Sequence, residues 1–120
     1  MQLGGTRVLV VEDEVLVSML IEDYLSELGC DVVAVASRLD DALGKAREAI
    51  MDVVILDVNL AGQVSYPVAD ILRARGVPFV FATGYGSAGL PFGLQGSPVL
   101  SKPFNQQQLV NALLLAKAKT

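Results

Sequence analysis

The sequence predicts an α/β fold with a doubly wound parallel sheet, and three observations carry that prediction. Apolar runs rich in β-branched residues recur along the chain, the clearest being Val8 to Val11 and Val53 to Leu56. Runs of this kind read as strands buried on both faces. Between the strands lie stretches with apolar residues at helical spacing, so strand and helix alternate throughout, and parallel crossovers need helices. Polar residues stand directly after four of the strands, at Glu12-Asp13, Asp57, Thr83 and Lys102. The carboxyl ends of parallel strands are where open α/β sheets bind their ligands.

The first strand is Arg7 to Val11. The helix after it spans Val15 to Leu28, with Leu16, Met19, Leu20 and Leu25 as its inner stripe and Gly29 as a C′ residue. Asp31 to Ala36 is a less bulky strand, expected nearer an edge. Ser37 with Asp40 resembles an N-cap, and Leu39, Ala42, Leu43, Ala46 and Ile50 form the next helical stripe. The central strand ends at Asp57, and Ala61 to Ser65 reads as a loop. Pro67 suits the first turn of a helix carrying Val68, Ile71 and Leu72 and stopped by Gly76. Pro78 to Ala82 is the fourth strand and Ser97 to Ser101 the fifth. The segment 84–96 between them holds five glycines and Pro91, so any helix there is short or loosely held. The last helix is well specified. Asn105 with Gln108 forms a variant capping box, Phe104 can staple onto Leu109, and Leu109, Leu113 and Ala116 face inward. Five such units suit the flavodoxin-like strand order 2-1-3-4-5, although periodicity alone does not fix the order.

Composition narrows the chemistry. A length of 120 residues suits one domain covering 1–120, and no second domain is expected. A net charge of −4 argues against a nucleic-acid footprint, and no apolar run approaches the roughly 18 residues of a membrane span. Acidic Glu12, Asp13 and Glu14 interrupt the only apolar run near the N-terminus, so no signal-peptide layout is present. The single cysteine, Cys30, cannot form an internal disulfide, which fits a reducing cytoplasm, and it reads as structural. There is no histidine, which excludes Ser-His-Asp catalysis, Cys-His catalysis and histidine-held zinc. What remains is carboxylates, a hydroxyl, an amine, or a metal held by oxygen.

A lone strand-end Asp often just starts a turn. Asp57 has company, however, because parallel strands bring Glu12, Asp13, Thr83 and Lys102 to the same edge. Carboxylates about 4 Å apart repel by roughly 4 kcal/mol per pair at an effective dielectric of 20. A divalent cation among them relieves this, and all-oxygen ligation is the profile of Mg²⁺. A carboxylate nucleophile, a cation, a Lys point charge and a hydroxyl donor together suit phosphoryl transfer.

Glu12-Asp13, Asp57, Thr83 and Lys102-Pro103-Phe104 resemble the motifs of response-regulator receiver domains over nearly the whole chain. The resemblance implies that Asp57 is the phosphoacceptor. It implies that Asp13 and Asp57 ligate Mg²⁺ directly, with Glu12 acting through water and the Asn59 backbone carbonyl as a further ligand. Thr83 and Lys102 would contact the phosphoryl oxygens, and the Lys102–Pro103 bond would be cis. A histidine kinase or phosphotransferase would be the donor and a downstream protein the reader, or the chain would act as a phosphate sink.

Pro78 to Tyr85 is similar to the signature of the FAT GUY receivers, regulators linked to stress-response histidine kinases. The runs Asp57 to Leu60 and Ser65 to Ala69 resemble the same group. The chain departs from the wider receiver pattern by placing Val99 where a switch aromatic usually stands and by its Gly-rich segment after the fourth strand. Tyr85 is the expected replacement switch, working with Thr83; a loop-anchoring Tyr is the alternative. Two other functions compete. An aspartate-nucleophile phosphohydrolase of the haloacid dehalogenase type also starts from a strand-end Asp. It wants an acid two residues on, where this chain has Asn59, which cannot shuttle a proton. The third is a binding module regulated without phosphorylation.

Overall fold

The computed structural model describes residues 3–84, 94 and 96–118. Five parallel strands, β1 (Arg7–Val11), β2 (Asp31–Ala36), β3 (Val53–Asp57), β6 (Phe79–Thr83) and β7 (Val99–Ser101), form one sheet in the order β2-β1-β3-β6-β7. This is the 2-1-3-4-5 order of a flavodoxin-like sheet. A separate antiparallel pair joins β4 (Asn59–Leu60) to β5 (Gln63–Val64). The helices are α1 (Val15–Glu27), α2 (Leu39–Glu48), α3 (Tyr66–Arg75) and α4 (Gln106–Ala118).

Alternation along the strands divides the core into two layers. Leu9, Val11, Val54, Leu56, Phe79 and Phe81 pack on one face, against Ala42 and Ala46 of α2 and Val68, Ala69 and Leu72 of α3. Val8, Val10, Val53, Ile55, Val80 and Ala82 pack on the other, against Ile21 and Leu25 of α1 and Leu109, Leu113 and Ala116 of α4. The sheet is therefore wound on both sides. Central β3 is buried at all five positions, as its unbroken apolar run requires.

Local signals set several boundaries. Gly29 and Gly76 follow α1 and α3 at φ of 77° and 72°, the left-handed conformation glycine adopts at least cost. Before α4, Asn105 N–H donates to Gln108 Oε1 and Gln108 N–H donates to Asn105 Oδ1, each at 2.8 Å, so the capping box is reciprocal. The Lys102–Pro103 peptide is cis.

Other elements differ from the sequence expectation. Helix α1 buries Ser18, Ile21 and Leu25, while Leu16 is 82% and Met19 54% exposed and Leu20 is also exposed. Its sequence is apolar on more than one face, so periodicity permits several rotations and the sheet selects one. Helix α2 starts at Leu39 from Arg38, with no side-chain cap, and ends at Glu48. The extended conformation of Ala49 then turns the chain away, which leaves Ile50 exposed instead of in the stripe. The expected loop 61–65 contains β5 and the turn of a hairpin. Ala61 and Gly62 form that turn at φ of 51° and 89°, the two positive angles of a type I′ connection. Two-residue strands show no alternation, and Ala-Gly lacks the usual Asn-Gly signal. Strand β7 begins at Val99, two residues later than expected.

Candidate functional site

Strand β1 runs straight into Glu12 and Asp13, β3 ends in Asp57, β6 ends in Thr83, and Lys102 follows β7. The strands are parallel, so these five residues share one sheet edge. Glu12, Asp57 and Thr83 are buried, and Lys102 and Asp13 are half-buried. Lys102 N–H donates to the Thr83 carbonyl at 2.9 Å, which holds the lysine at the end of β6.

Carboxylate oxygens of Glu12, Asp13 and Asp57 lie within 4.8 Å of one another. The Lys102 ammonium is drawn into this cluster, 2.7 Å from Glu12 Oε1, 3.3 Å from Asp57 Oδ2 and 3.8 Å from Glu14 Oε1. One ammonium does not balance the group. Burial pushes the Asp57 carboxyl up to about 8, and the hydrogen bond and charge of Glu12 add to it, against the opposing pull of Lys102 and the Asn59 N–H. Asp13 goes the other way. Burial opposes its ionisation, but the Ala61 N–H, with hydrogen bonds to Glu12 and Asp57, holds its carboxyl below the usual range. Burial likewise works against the Lys102 charge; its bond to Glu12 and the charges of Asp57 and Glu12 outweigh that and raise its pKa.

This donor set fits a small divalent cation. All its ligand atoms are oxygens on three carboxylates, and Lys102 brings a single positive charge against them. Asn59 lies beside the cluster. Its N–H is 3.4 Å from Asp57 Oδ1, and its side-chain oxygen accepts the Gly62 N–H at 2.8 Å, so that side chain braces the hairpin.

The structure thus brings together Glu12, Asp13, Asp57, Asn59, Thr83 and Lys102. Tyr85, the expected switch residue, lies outside the described residues, as do the rest of 85–93 and residue 95. Sequence reading missed three contributors: Glu14 near Lys102, the Ala61 N–H on Asp13 at 2.9 Å, and Ser65. The Ser65 hydroxyl donates to the Asp57 carbonyl at 2.5 Å. Its one legible signal is a Ser just before a Pro-containing helix start, which points to a cap and not to Asp57.

A cluster of three carboxylates and a lysine stands at the carboxyl edge of a 2-1-3-4-5 sheet, and that fold and site define a class of domain. The chain belongs to the response regulator receiver domain family, whose model matches residues 8–114. Among solved structures it is similar to SdrG from Sphingomonas melonis Fr1, with 40% identity and a TM-score of 0.82, covering 92% of this chain and 94% of that one. The receiver domain of PhyR from Erythrobacter litoralis gives 32% identity and a TM-score of 0.81, covering 97% and 92%. The phyllosphere-induced regulator PhyR of Methylorubrum extorquens is 35% identical over 105 residues, 83% of this chain and 39% of that protein. The chain spans less than half the length of the curated relatives LytT and PhyR. No helix among the described residues is long and apolar enough to cross a membrane.

Proposed function

We propose that this chain is a stand-alone cytoplasmic receiver of a two-component phosphorelay that accepts a phosphoryl group on Asp57 from a partner histidine kinase or phosphotransferase. The observation that carries the reading is the cluster of Glu12, Asp13 and Asp57 closed by Lys102. Glu12, Asp13 and Asp57, with the Asn59 carbonyl, would hold Mg²⁺. When bound, the cation supplies the positive charge that offsets carboxylate repulsion and the charge gathering on the phosphoryl oxygens. An Asp57 carboxylate oxygen attacks phosphorus in line, and the bond from phosphorus to the donor nitrogen breaks. Lys102 and the Thr83 hydroxyl then hold the phosphoryl oxygens.

These 120 residues contain no histidine, so the donor histidine lies outside them. Val15, Leu16, Met19 and Leu20 are exposed on α1, beginning two residues after Asp13, and supply apolar area for docking a donor helix beside Asp57. The match to SdrG along nearly its full length supports a receiver working alone and signalling through a protein partner or draining phosphoryl groups. Similarity to SdrG and PhyR, together with the Phe81-Ala82-Thr83-Gly84-Tyr85 run, supports a role in a stress-response relay. Phosphohydrolase chemistry is disfavoured by Asn59, whose side chain is engaged with Gly62.

Intact mass after incubation with acetyl phosphate tests the proposal. One phosphoryl group should add, only with Mg²⁺, and none should add to Asp57→Asn. Modification that persists in the variant or ignores chelator would overturn the assignment.

A further inference from the structure

We propose that Ser65 is a positioning residue for Asp57, and that its hydroxyl serves the phosphoacceptor and not the helix it precedes; this rests on the phosphoacceptor reading above. Ser65 stands at the N-cap of α3, where a serine oxygen ordinarily accepts an N–H from the first helical turn. It makes no such bond. Its hydroxyl instead donates to the backbone carbonyl of Asp57 at 2.5 Å, with the side chain wholly buried. Its N–H donates to the Val58 carbonyl at 2.8 Å, and its own carbonyl accepts the Val68 N–H at 2.9 Å.

One residue therefore ties the end of β3 to the start of α3 and closes the loop that carries Asn59 and the hairpin. The consequence is geometric. At Asp57 the β3 strand ends, and the peptide linking Asp57 to Val58 is the last part of the strand that can fix the direction of the Asp57 side chain. Val58 N–H is held by the Ala82 carbonyl at 3.1 Å on one side of that peptide. Ser65 holds the carbonyl on the other. With both ends anchored, the carboxylate keeps its place 3.3 Å from Lys102 and beside Glu12 and Asp13. Displacement of a reacting group by about 1 Å can cost about a hundredfold in rate. A buried carbonyl that loses its donor also has reason to turn toward another.

The test compares Ser65→Ala, Ser65→Thr and Val68→Ala in the full chain. Val68→Ala removes buried bulk from the same helix and keeps both the Ser65 hydroxyl and the backbone N–H that meets the Ser65 carbonyl. Two quantities are read: Mg²⁺ affinity of the unphosphorylated protein by calorimetric titration, and the rate of phosphorylation from acetyl phosphate at saturating Mg²⁺ by intact mass. Ser65→Ala should be phosphorylated about tenfold more slowly, the loss of one buried hydrogen bond, and should bind Mg²⁺ several-fold more weakly. Ser65→Thr keeps the hydroxyl and should recover to within about twofold of wild type. Val68→Ala should melt earlier yet keep both the rate and the affinity. If Ser65→Ala does not fold, Ser65→Cys keeps the volume with a weaker donor and should fall between alanine and wild type. Phosphorylation and Mg²⁺ binding of a folded Ser65→Ala equal to wild type would overturn the positioning role. Failure of wild type itself to be phosphorylated would instead reject the phosphoacceptor reading, and the Mg²⁺ titration would still report on Asp57 placement.

Discussion

Replacing Lys102 by Met should destabilise the metal-free protein by about 3 kcal/mol at pH 7.5, and Mg²⁺ should restore part of the loss. The Lys102 side chain is 18% exposed, against 1% for Glu12 and 8% for Asp57, so its contacts of 2.7 and 3.3 Å are made away from water. Removing one partner of a buried pair costs about 3–5 kcal/mol, because the other charge is left uncompensated. The lower end applies here. Asp57, pushed up to about 8, already carries a proton much of the time, so closer to one charge than two is stranded. Unfolding entropy for a chain of 120 residues is about 0.25 kcal/mol/K, which converts the loss to a melting temperature about 12 °C lower. Urea unfolding gives the free energy directly, and the deficit should shrink toward pH 5, where protons take over the neutralising role of Lys102. A Lys102→Met protein as stable as wild type at pH 7.5, or a deficit indifferent to both pH and Mg²⁺, would refute this account of the cluster.

Metal-free wild type should lose stability as pH rises through about 8. The folded state keeps the Asp57 proton to that value, while the unfolded chain releases it near 4. Urea unfolding across pH 5 to 9 measures the slope, and Mg²⁺ should flatten it. Mg²⁺ should raise the melting temperature of wild type and of Arg73→Ala but not of Asp13→Ala, since the cation relieves repulsion only in the folded state; thermal scans with and without the cation decide this. Ala61→Gly should stabilise the protein by about 0.5 kcal/mol in urea, because glycine removes the left-handed strain at φ 51° and gives back part of that gain through a more flexible unfolded chain.

Much of this molecule is legible before folding is considered. The apolar runs of β1, β3 and β6, the glycines after α1 and α3, and the Asn105–Gln108 box depend on residues a few positions apart, so local chemistry determines them. The convergence of Glu12, Asp13, Asp57, Thr83 and Lys102 is also readable, because parallel strands fed by right-handed crossovers bring every strand end to one edge. What was not readable depends on surfaces that meet only in three dimensions. The apolar residues of α1 fit more than one rotation, and the sheet buries Ile21 and Leu25 while leaving Leu16 and Met19 in solvent. The short hairpin has too few residues for a periodic signal, and the bond from its Ala61 N–H to the Asp13 carboxylate joins residues 48 positions apart. Ser65 looks like a cap in one dimension, yet in the fold its hydroxyl meets the Asp57 carbonyl. Sequence determines which groups are polar and roughly where the chain turns; tertiary structure decides which partner each buried polar group takes, since burial removes water as the alternative and leaves only the neighbours that packing provides.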